Sequence, residues 1–307
     1  MIKILSSLAA FFSIAVVCAQ SVPQTPKLVI GITIDQLRSD YLELFNDTFG
    51  EKGFKKLLNE GLVYNDVSFN FPYLDEASAN STIYTGANPS FHGILGNKKY
   101  STRYNKEASS FVENFATANS SEEQLSPSSI MVSTLTDELS IASGGNSDIF
   151  SFAPNASSAI SGGGHSAKGA YWIDDLNGRW ATSNYYKSSN QIINSYNRSS
   201  ESFYRRGNTI IWKPSINISN YDAFPYTRNI YEFQHQFGAY KNDQFRLLKQ
   251  SPYVNTEVRK MAEKVIKENQ MGTRTYPDFL ALTFYAGNYE KALDKNYSIE
   301  IQDIYYR

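Results

Sequence analysis

The feature that most restricts this chain is a run of apolar, largely β-branched residues, Val29–Asp35 (VIGITID), that stops on a carboxylate. Apolar residues in unbroken succession, without period-two alternation, describe a parallel strand covered on both faces. Two further runs come later, Asp148–Ala153 and Asp278–Phe284 (DFLALTF), and Leu62–Phe69 (LVYNDVSF) reads as a roughly alternating strand. Helical spacing fills the intervals. It runs through Tyr41–Phe49, through Gly53–Glu60 with Gly61 as its stop, through Glu76–Tyr84 with Gly86 as its stop, and through Met131–Ala142. Asn255–Asn269 is amphipathic, with Val258, Met261, Ala262, Val265 and Ile266 on one face. Strands alternating with helices predict an α/β fold with a mainly parallel sheet.

Three stretches depart from that rhythm. Residues 101–129 read as a Ser/Asn-rich connection, and Ser157–Gly164 (SSAISGGG) as a flexible, glycine-rich turn. Tyr171–Tyr240 is rich in Tyr, Trp, Asn and Ser and poor in helical pattern, which predicts an inserted, irregular and β cap. Ile299–Tyr306 starts a helix at which the sequence stops, so the C-terminal part of the core is expected to be missing. There is no internal repeat.

The N-terminus reads as an export signal over residues 1–19, leaving 20–307 as one domain that carries the cap. Lys3 supplies the positive end, Ile4–Val17 is apolar but too short to span a bilayer, and Val17-Cys18-Ala19 suits cleavage before Gln20. Acylation at Cys18 is the rival reading. The bulky Val17 before it disfavours a lipid anchor and favours a periplasmic or secreted protein. Past Ala19 no cysteine remains, so no disulfide holds the fold. A net charge of −1 with both signs interspersed argues against a nucleic-acid groove or a polybasic membrane surface. No second apolar run approaches membrane length. Asn-x-Ser/Thr triplets at Asn80, Asn155 and Asn217 are chance matches in an Asn- and Ser-rich chain.

The chemistry is expected in residues 71–97, FPYLDEASANSTIYTGANPSFHGILGN. With IDQLRSDY (34–41), GFKKLLNEG (53–61), TIYTG (82–86), HGILGN (92–97), AYWID (170–174), SPYVNT (251–256), DFLALTF (278–284) and SIEIQDIYYR (298–307), the chain resembles a known family. It is the nucleotide pyrophosphatase/phosphodiesterase-like branch of the alkaline phosphatase superfamily, and most of all its secreted bacterial phosphatases with a threonine nucleophile. The pieces run in the family's order over nearly the whole chain. The resemblance implies a three-layer α/β/α core, two zinc ions on loops at the carboxyl ends of the strands, and hydrolysis through a covalent phospho-enzyme. Such chemistry needs two cations about 4 Å apart, a deprotonated hydroxyl nucleophile and donors for the phosphoryl oxygens.

Position by position, the resemblance is incomplete. Asp35 matches the first metal ligand, and Asn97 matches the asparagine that binds a phosphoryl oxygen. Counted without a gap from TIYTG, the nucleophile falls on Glu76. Ser78 and Ser81 do not inherit its direction at about 100° per residue of helix. The phosphate-binding Lys-x-Arg pair falls on Asn155 and Ser157, and an Asp-x-x-x-His ligand motif falls on Asn288 and Ala292. The remaining family ligands would lie past Arg307, and three histidines in all do not rebuild a multi-His zinc site.

Each survivor also has a plainer role. Asp35 caps the next helix or remains a cation ligand, and Asn97 binds phosphate or holds its loop. His92 reads as structural, His165 as a packing residue, and His235 as a surface or partly buried side chain. Asp35, Glu76 and Asn97 together are candidates for a single weak Mg or Ca site in place of the two Zn. The expected protein is an exported phosphate-ester hydrolase scaffold without catalysis, binding a phosphate ester or a protein partner. Two alternatives stand beside it: an active metal-dependent phosphomonoesterase or phosphodiesterase completed by an absent C-terminal portion, and a fragment that does not fold stably.

Overall fold

The computed structural model describes residues 25–115, 124–186, 191–217, 221, 231–294 and 298–307. The leader, Cys18 included, lies outside them. Strand β1 (Leu28–Asp35) leads into helix α1 (Ser39–Leu44), a 3-10 turn (Asn46–Thr48) and α2 (Phe54–Glu60). Next come α3 (Glu76–Thr85), the one-turn α4 (Pro89–His92), a hairpin of β2 (Lys98–Ser101) with β3 (Lys106–Ser109), and α5 (Leu135–Ala142). Then follow β4 (Ile149–Ala153), α6 (Ala156–Gly163), β5 (Gly169–Ile173), β6 (Trp180–Ala181), α7 (Gln191–Arg198) and α8 (Phe203–Gly207). A short pair, β7 (Ile211–Trp212) and β8 (His235–Gln236), precedes α9 (Gln244–Leu248), α10 (Pro252–Glu268), β9 (Asp278–Tyr285) and α11 (Ile299–Tyr306).

The central sheet has the order β1-β9-β4-β5-β6. Its first four strands are parallel and β6 runs antiparallel to β5. The fold is therefore α/β with a mostly parallel sheet. Alternate residues of β4, β5 and β9 feed opposite faces. Phe150, Phe152, Tyr171, Leu280 and Leu282 join one core with Val254, Val258, Met261 and Val265 of α10. On the other face Ala153, Ala170 and Trp172 meet Ala77, Ala159 and Ile160 of α3 and α6, and Ala281 packs with Tyr84. Each buried valine, leucine, isoleucine, phenylalanine or methionine among them contributes about 1.5–3 kcal/mol.

Several sequence expectations change here. Ser157–Gly164 is not a turn but most of α6, and its glycines are contact residues: a Cβ on Gly162 would stand 2.8 Å from that of Ala281. Close helix-on-sheet packing selects glycine, and composition alone mistakes that for flexibility. Leu62–Phe69 forms no strand, because no partner strand lies beside it among the described residues. Nor is β1 covered on both faces. It is an edge strand, with Val29, Ile30 and Ile32 37%, 44% and 54% exposed. The segment 171–240 also differs. Tyr171–Ile173 belongs to the central sheet, and the rest contains two short helices as well as β7 and β8.

Buried carboxylates fasten that segment to the core. Glu257 of α10 accepts hydrogen bonds from Trp180 Nε1 (3.1 Å), Tyr196 Oη (2.9 Å) and Arg206 Nη2 (2.7 Å). Asp303 of α11 accepts from Trp212 Nε1 (2.6 Å), Ser215 N (2.7 Å), Tyr221 Oη (2.7 Å) and Arg307 Nε (2.9 Å). Glu300 accepts from Tyr231 Oη at 2.8 Å and meets His235 Nε2 at 2.9 Å. His235 is thus buried and held by Glu300, not on the surface. A fully buried carboxylate is tolerable only when its lone pairs are satisfied, as these are.

Candidate active site

The carboxyl end of β1, the N-terminus of α3 and the turn into α6 enclose a cavity of about 820 Å³. It lies where open α/β sheets place their sites, beyond the carboxyl ends of the strands. Of the residues singled out in the sequence, Asp35, Glu76, Asn97 and Asn155 line it. The others do not. Ser157 points elsewhere, exposed Asn288 lines a smaller cavity with Gln36 and Arg38, and Ala292 is buried in the apolar core.

Helix α3 fixes the central position. Asp75 is its N-cap, accepting from Ser78 N at 3.0 Å while Ser78 Oγ accepts from Asp75 N, a reciprocal capping box. Gly86 ends the helix in the left-handed conformation, at φ 65°. Glu76 is consequently the first helical residue, with its carboxylate at the cavity wall. One oxygen, Oε2, accepts from Asn155 Nδ2 at 3.0 Å, and Oε1 accepts from Ser158 Oγ. Ser158 was not marked by the sequence reading. The motif register points at Ser157, one residue earlier, but on a helix the side chain that turns toward Glu76 is the next one.

The neighbouring groups are equally committed. Asn80, one turn after Glu76, donates to Glu76 O (2.9 Å) and Ser158 Oγ (3.0 Å). Asn97 Oδ1 accepts from Ala77 N at 3.1 Å, and its backbone N–H donates to Asp75 at 2.6 Å. That bond orients the carboxamide and leaves its Nδ2 end for a ligand oxygen. Ser78 and Ser81 are fully buried, the first in the capping box and the second against Ser161 Oγ at 2.9 Å. Neither offers a hydroxyl to the cavity.

Electrostatically the site is acidic on one wall and neutralised on the other. Burial, then the charge of Glu76, pushes the Asp35 carboxyl up to about 7, so at neutral pH it holds a proton much of the time. Two cations, Arg246 and Lys249 of the α9 region, also line the cavity. No motif pointed to them. Lys249 is buried, donating to the carbonyls of Pro154 (3.0 Å) and Ile173 (3.1 Å) and pairing with Asp175. Arg246 pairs with Asp243 at 3.0 Å and with Glu290. Both charges are already answered within the chain.

The donor set does not fit a pair of zinc ions. Among the described residues no three His, Cys, Asp or Glu side chains gather to hold a metal. His92 is buried, its Nδ1 accepting from Ile94 N (3.1 Å), so its protonated Nε2 donates to Thr82 Oγ1 at 3.0 Å. His165 pairs with Asp137 at 2.8 Å and His235 with Glu300 at 2.9 Å. All three are spent on structure. Asp35 and Glu76 alone also fall short of the six to eight oxygens, roughly, that calcium takes.

Comparison with known proteins gives a consistent picture. The profile of the type I phosphodiesterase / nucleotide pyrophosphatase family matches residues 29–290. Alkaline phosphatase PhoV of Synechococcus elongatus is 32% identical over 300 residues, 93% of this chain and 54% of its own. Alkaline phosphatase PafA of Elizabethkingia meningoseptica is 30% identical over 310 residues, 92% of this chain and 54% of its own. The crystal structure of wild-type PafA superposes with a TM-score of 0.79 at 29% identity, covering 94% of this chain and 58% of that one. The chain spans about half the length of the curated relatives it matches.

Proposed function

This chain belongs to the type I phosphodiesterase / nucleotide pyrophosphatase family, and from that premise we propose that it is an exported scaffold of that family which binds rather than hydrolyses. The observation that carries the reading is Glu76. A carboxylate stands where the relatives' chemistry calls for a hydroxyl, and Asn155 and Ser158 occupy both its oxygens. Each of its oxygens already accepts a hydrogen bond, and a carboxyl group is not the hydroxyl that a phospho-enzyme mechanism needs. Two like charges 4 Å apart repel by about 4 kcal/mol at an effective dielectric constant near 20. An anionic phosphoryl group beside Glu76 would meet that repulsion, and the two cations that line the cavity among the described residues, Arg246 and Lys249, are already paired. Within this reading Asp35 keeps a ligand position without its metal, Asn97 keeps a phosphoryl-oxygen donor, and Asn155, Ser157, Asn288 and Ala292 are positions whose original groups are gone. Export rests on the leader at residues 1–19.

The test is hydrolysis of p-nitrophenyl phosphate and bis-p-nitrophenyl phosphate by the purified chain, with zinc added and with zinc chelated. Turnover is expected to equal that of Glu76→Ala in both. Zinc-dependent turnover that Glu76→Ala abolishes overturns the reading. One observation favours a second reading, an active hydrolase whose other ligands come from a further part of the fold: the relatives are much longer than the matched region. Elemental analysis of this chain joined to such a further part separates the two, because the active form requires close to two zinc per chain.

A further inference from the structure

The cavity beside Glu76 carries more negative charge than the described residues around it answer. Asp35, Asp75 and Glu76 line it, while its cations, Arg246 and Lys249, are held by Asp243, Glu290 and Asp175. Asp75 is committed to the cap of α3 and to the backbone of Asn97. Asp35 accepts from Gln36 Nε2 at 3.4 Å, a long bond, and Glu76 accepts one neutral donor on each oxygen. A carboxylate oxygen has two lone pairs, so both Asp35 and Glu76 keep accepting capacity.

An acidic wall alone does not name a ligand, but Asn80 adds a separate demand. It lines the same cavity one helical turn after Glu76 and is 4% exposed. Its Nδ2 donates to Glu76 O at 2.9 Å and to Ser158 Oγ at 3.0 Å. A backbone carbonyl can only accept, so the amide nitrogen has to face Glu76 O and the carboxamide cannot be turned over. Its Oδ1 is therefore fixed on the other side, buried and without a donor. Buried amide oxygens seldom lack one. Ile32, Leu74 and Ile83 also line the cavity, and stand 54%, 52% and 53% exposed. What the cavity lacks is a cation with several N–H bonds and a hydrocarbon body.

We propose that this cavity binds a primary alkylammonium group. Its N–H bonds go to the carboxylates of Asp35 and Glu76 and to Asn80 Oδ1, and its hydrocarbon chain lies against Ile32, Leu74 and Ile83. A hard metal ion asks for more oxygens than these three side chains offer, whereas an ammonium needs one acceptor for each N–H. At about 820 Å³ the cavity has the size of a small-molecule site. This ligand class presupposes a site that binds without hydrolysing, as proposed above. The head group occurs both on free aliphatic amines and on lysine side chains of polypeptides.

The test is titration calorimetry of the full chain at pH 8, where an alkylamine is still protonated. The probes are pentylamine, acetyl-lysine methylamide, pentanol, trimethylpentylammonium and inorganic phosphate. The two primary amines are expected to bind and pentanol is not. The trimethylated amine should bind at least tenfold more weakly than pentylamine, because it has no N–H to give Asn80. Glu76→Gln and Asp35→Asn keep the shape of the wall and lose its charge, and each should weaken pentylamine at least tenfold. If either variant loses its cooperative melt, the comparison of pentylamine with pentanol and the trimethylated amine decides on the unaltered chain. Tighter binding of the lysine derivative assigns the ligand to a polypeptide, and tighter binding of pentylamine assigns it to a free amine. Pentanol binding as well as pentylamine, phosphate binding more tightly than either amine, or an affinity unchanged in both folded variants overturns the proposal. Zinc-dependent turnover of p-nitrophenyl phosphate overturns the non-hydrolytic reading and this one with it. No turnover and no amine binding, in a chain that melts cooperatively, overturns this one alone.

Discussion

Along β4, β5 and β9 nearly every side chain is buried, whereas three apolar side chains of β1, in the same sheet, stand 37–54% exposed. The two flanks differ little in how apolar their sequences are. They differ in what closes over them. On the α10 side, aromatic residues of the inserted segment are drawn down by Glu257, Glu300 and Asp303, each of which meets its donors inside the protein. On the β1 side, among the described residues, no comparable polar anchor joins α2 or residues 62–69 to the sheet. Apolar content permits a core, and a partner surface with satisfied polar groups completes it.

The largest effect should therefore come from an anchor on the closed flank. Asp303→Ala would leave Trp212 Nε1, Tyr221 Oη, Ser215 N and Arg307 without their shared acceptor. Breaking a buried charged network by removing one member costs about 3–5 kcal/mol. Chemical denaturation should show a loss of that size, together with faster exchange in 211–217 and 231–236. A loss under about 1 kcal/mol would mean that the inserted segment is held by apolar contacts alone, and the contrast between the flanks would weaken.

A smaller, pH-dependent effect is expected at His165, which ties the loop after α6 to the N-terminus of α5. Asp137 accepts from the backbone N–H groups of Thr134, His165 and Ser166 as well as from the His165 ring. Its hydrogen bond to Asp137 raises the His165 pKa. Burial opposes ionisation of Asp137, but the bonds from His165 and Thr134 outweigh it and hold that carboxyl well below its usual range. The histidine's contribution is complete below its ordinary value of 6.5 and fades as pH rises through its raised value. The aspartate's contribution is complete above 3.8 and fades as pH falls. His165→Ala should thus cost most between these limits, about 1.5 kcal/mol for a charge-assisted hydrogen bond, and less at alkaline pH. Urea midpoints at pH 5.5 and 9 measure the difference. An equal cost at both would assign His165 to packing only.

How far the sequence could be read follows the same division. The apolar runs at 29–35, 148–153 and 278–284 located three strands of the parallel sheet; burial explains that signature in the last two, while the first carries it on an exposed edge. The capped helix at 76–85 was legible from Gly86 and the spacing before it. Asp35, Glu76, Asn97 and Asn155 were found by register and do share one cavity. Ser158, Arg246 and Lys249 were missed, since each reaches the cavity by tertiary approach and none belongs to a local pattern. The helix α6 was missed because its Gly162 and Gly163 answer to Ala281 and Ala170 across the interface, which no window of sequence reveals. His235 was misplaced for the same reason: its partner Glu300 is 65 residues away. Leu62–Phe69 fails in the opposite sense, having the pattern of a strand and no neighbour to realise it.

The smallest expected effect is the sharpest probe of that last point. Leu57 and Leu62, on and just after α2, are 63% and 83% exposed, so replacing either with serine removes little buried area. Surface substitutions away from caps and buried networks usually change stability by no more than about 0.5 kcal/mol. Leu57→Ser and Leu62→Ser should therefore leave the denaturation midpoint of the free chain within that margin, while raising its solubility by breaking up the apolar flank. A loss of about 2 kcal/mol or more at either position is what burial of a leucine would give. It would mean that 56–70 folds back onto β1 in solution, that the free chain closes its own edge, and that the two flanks are alike.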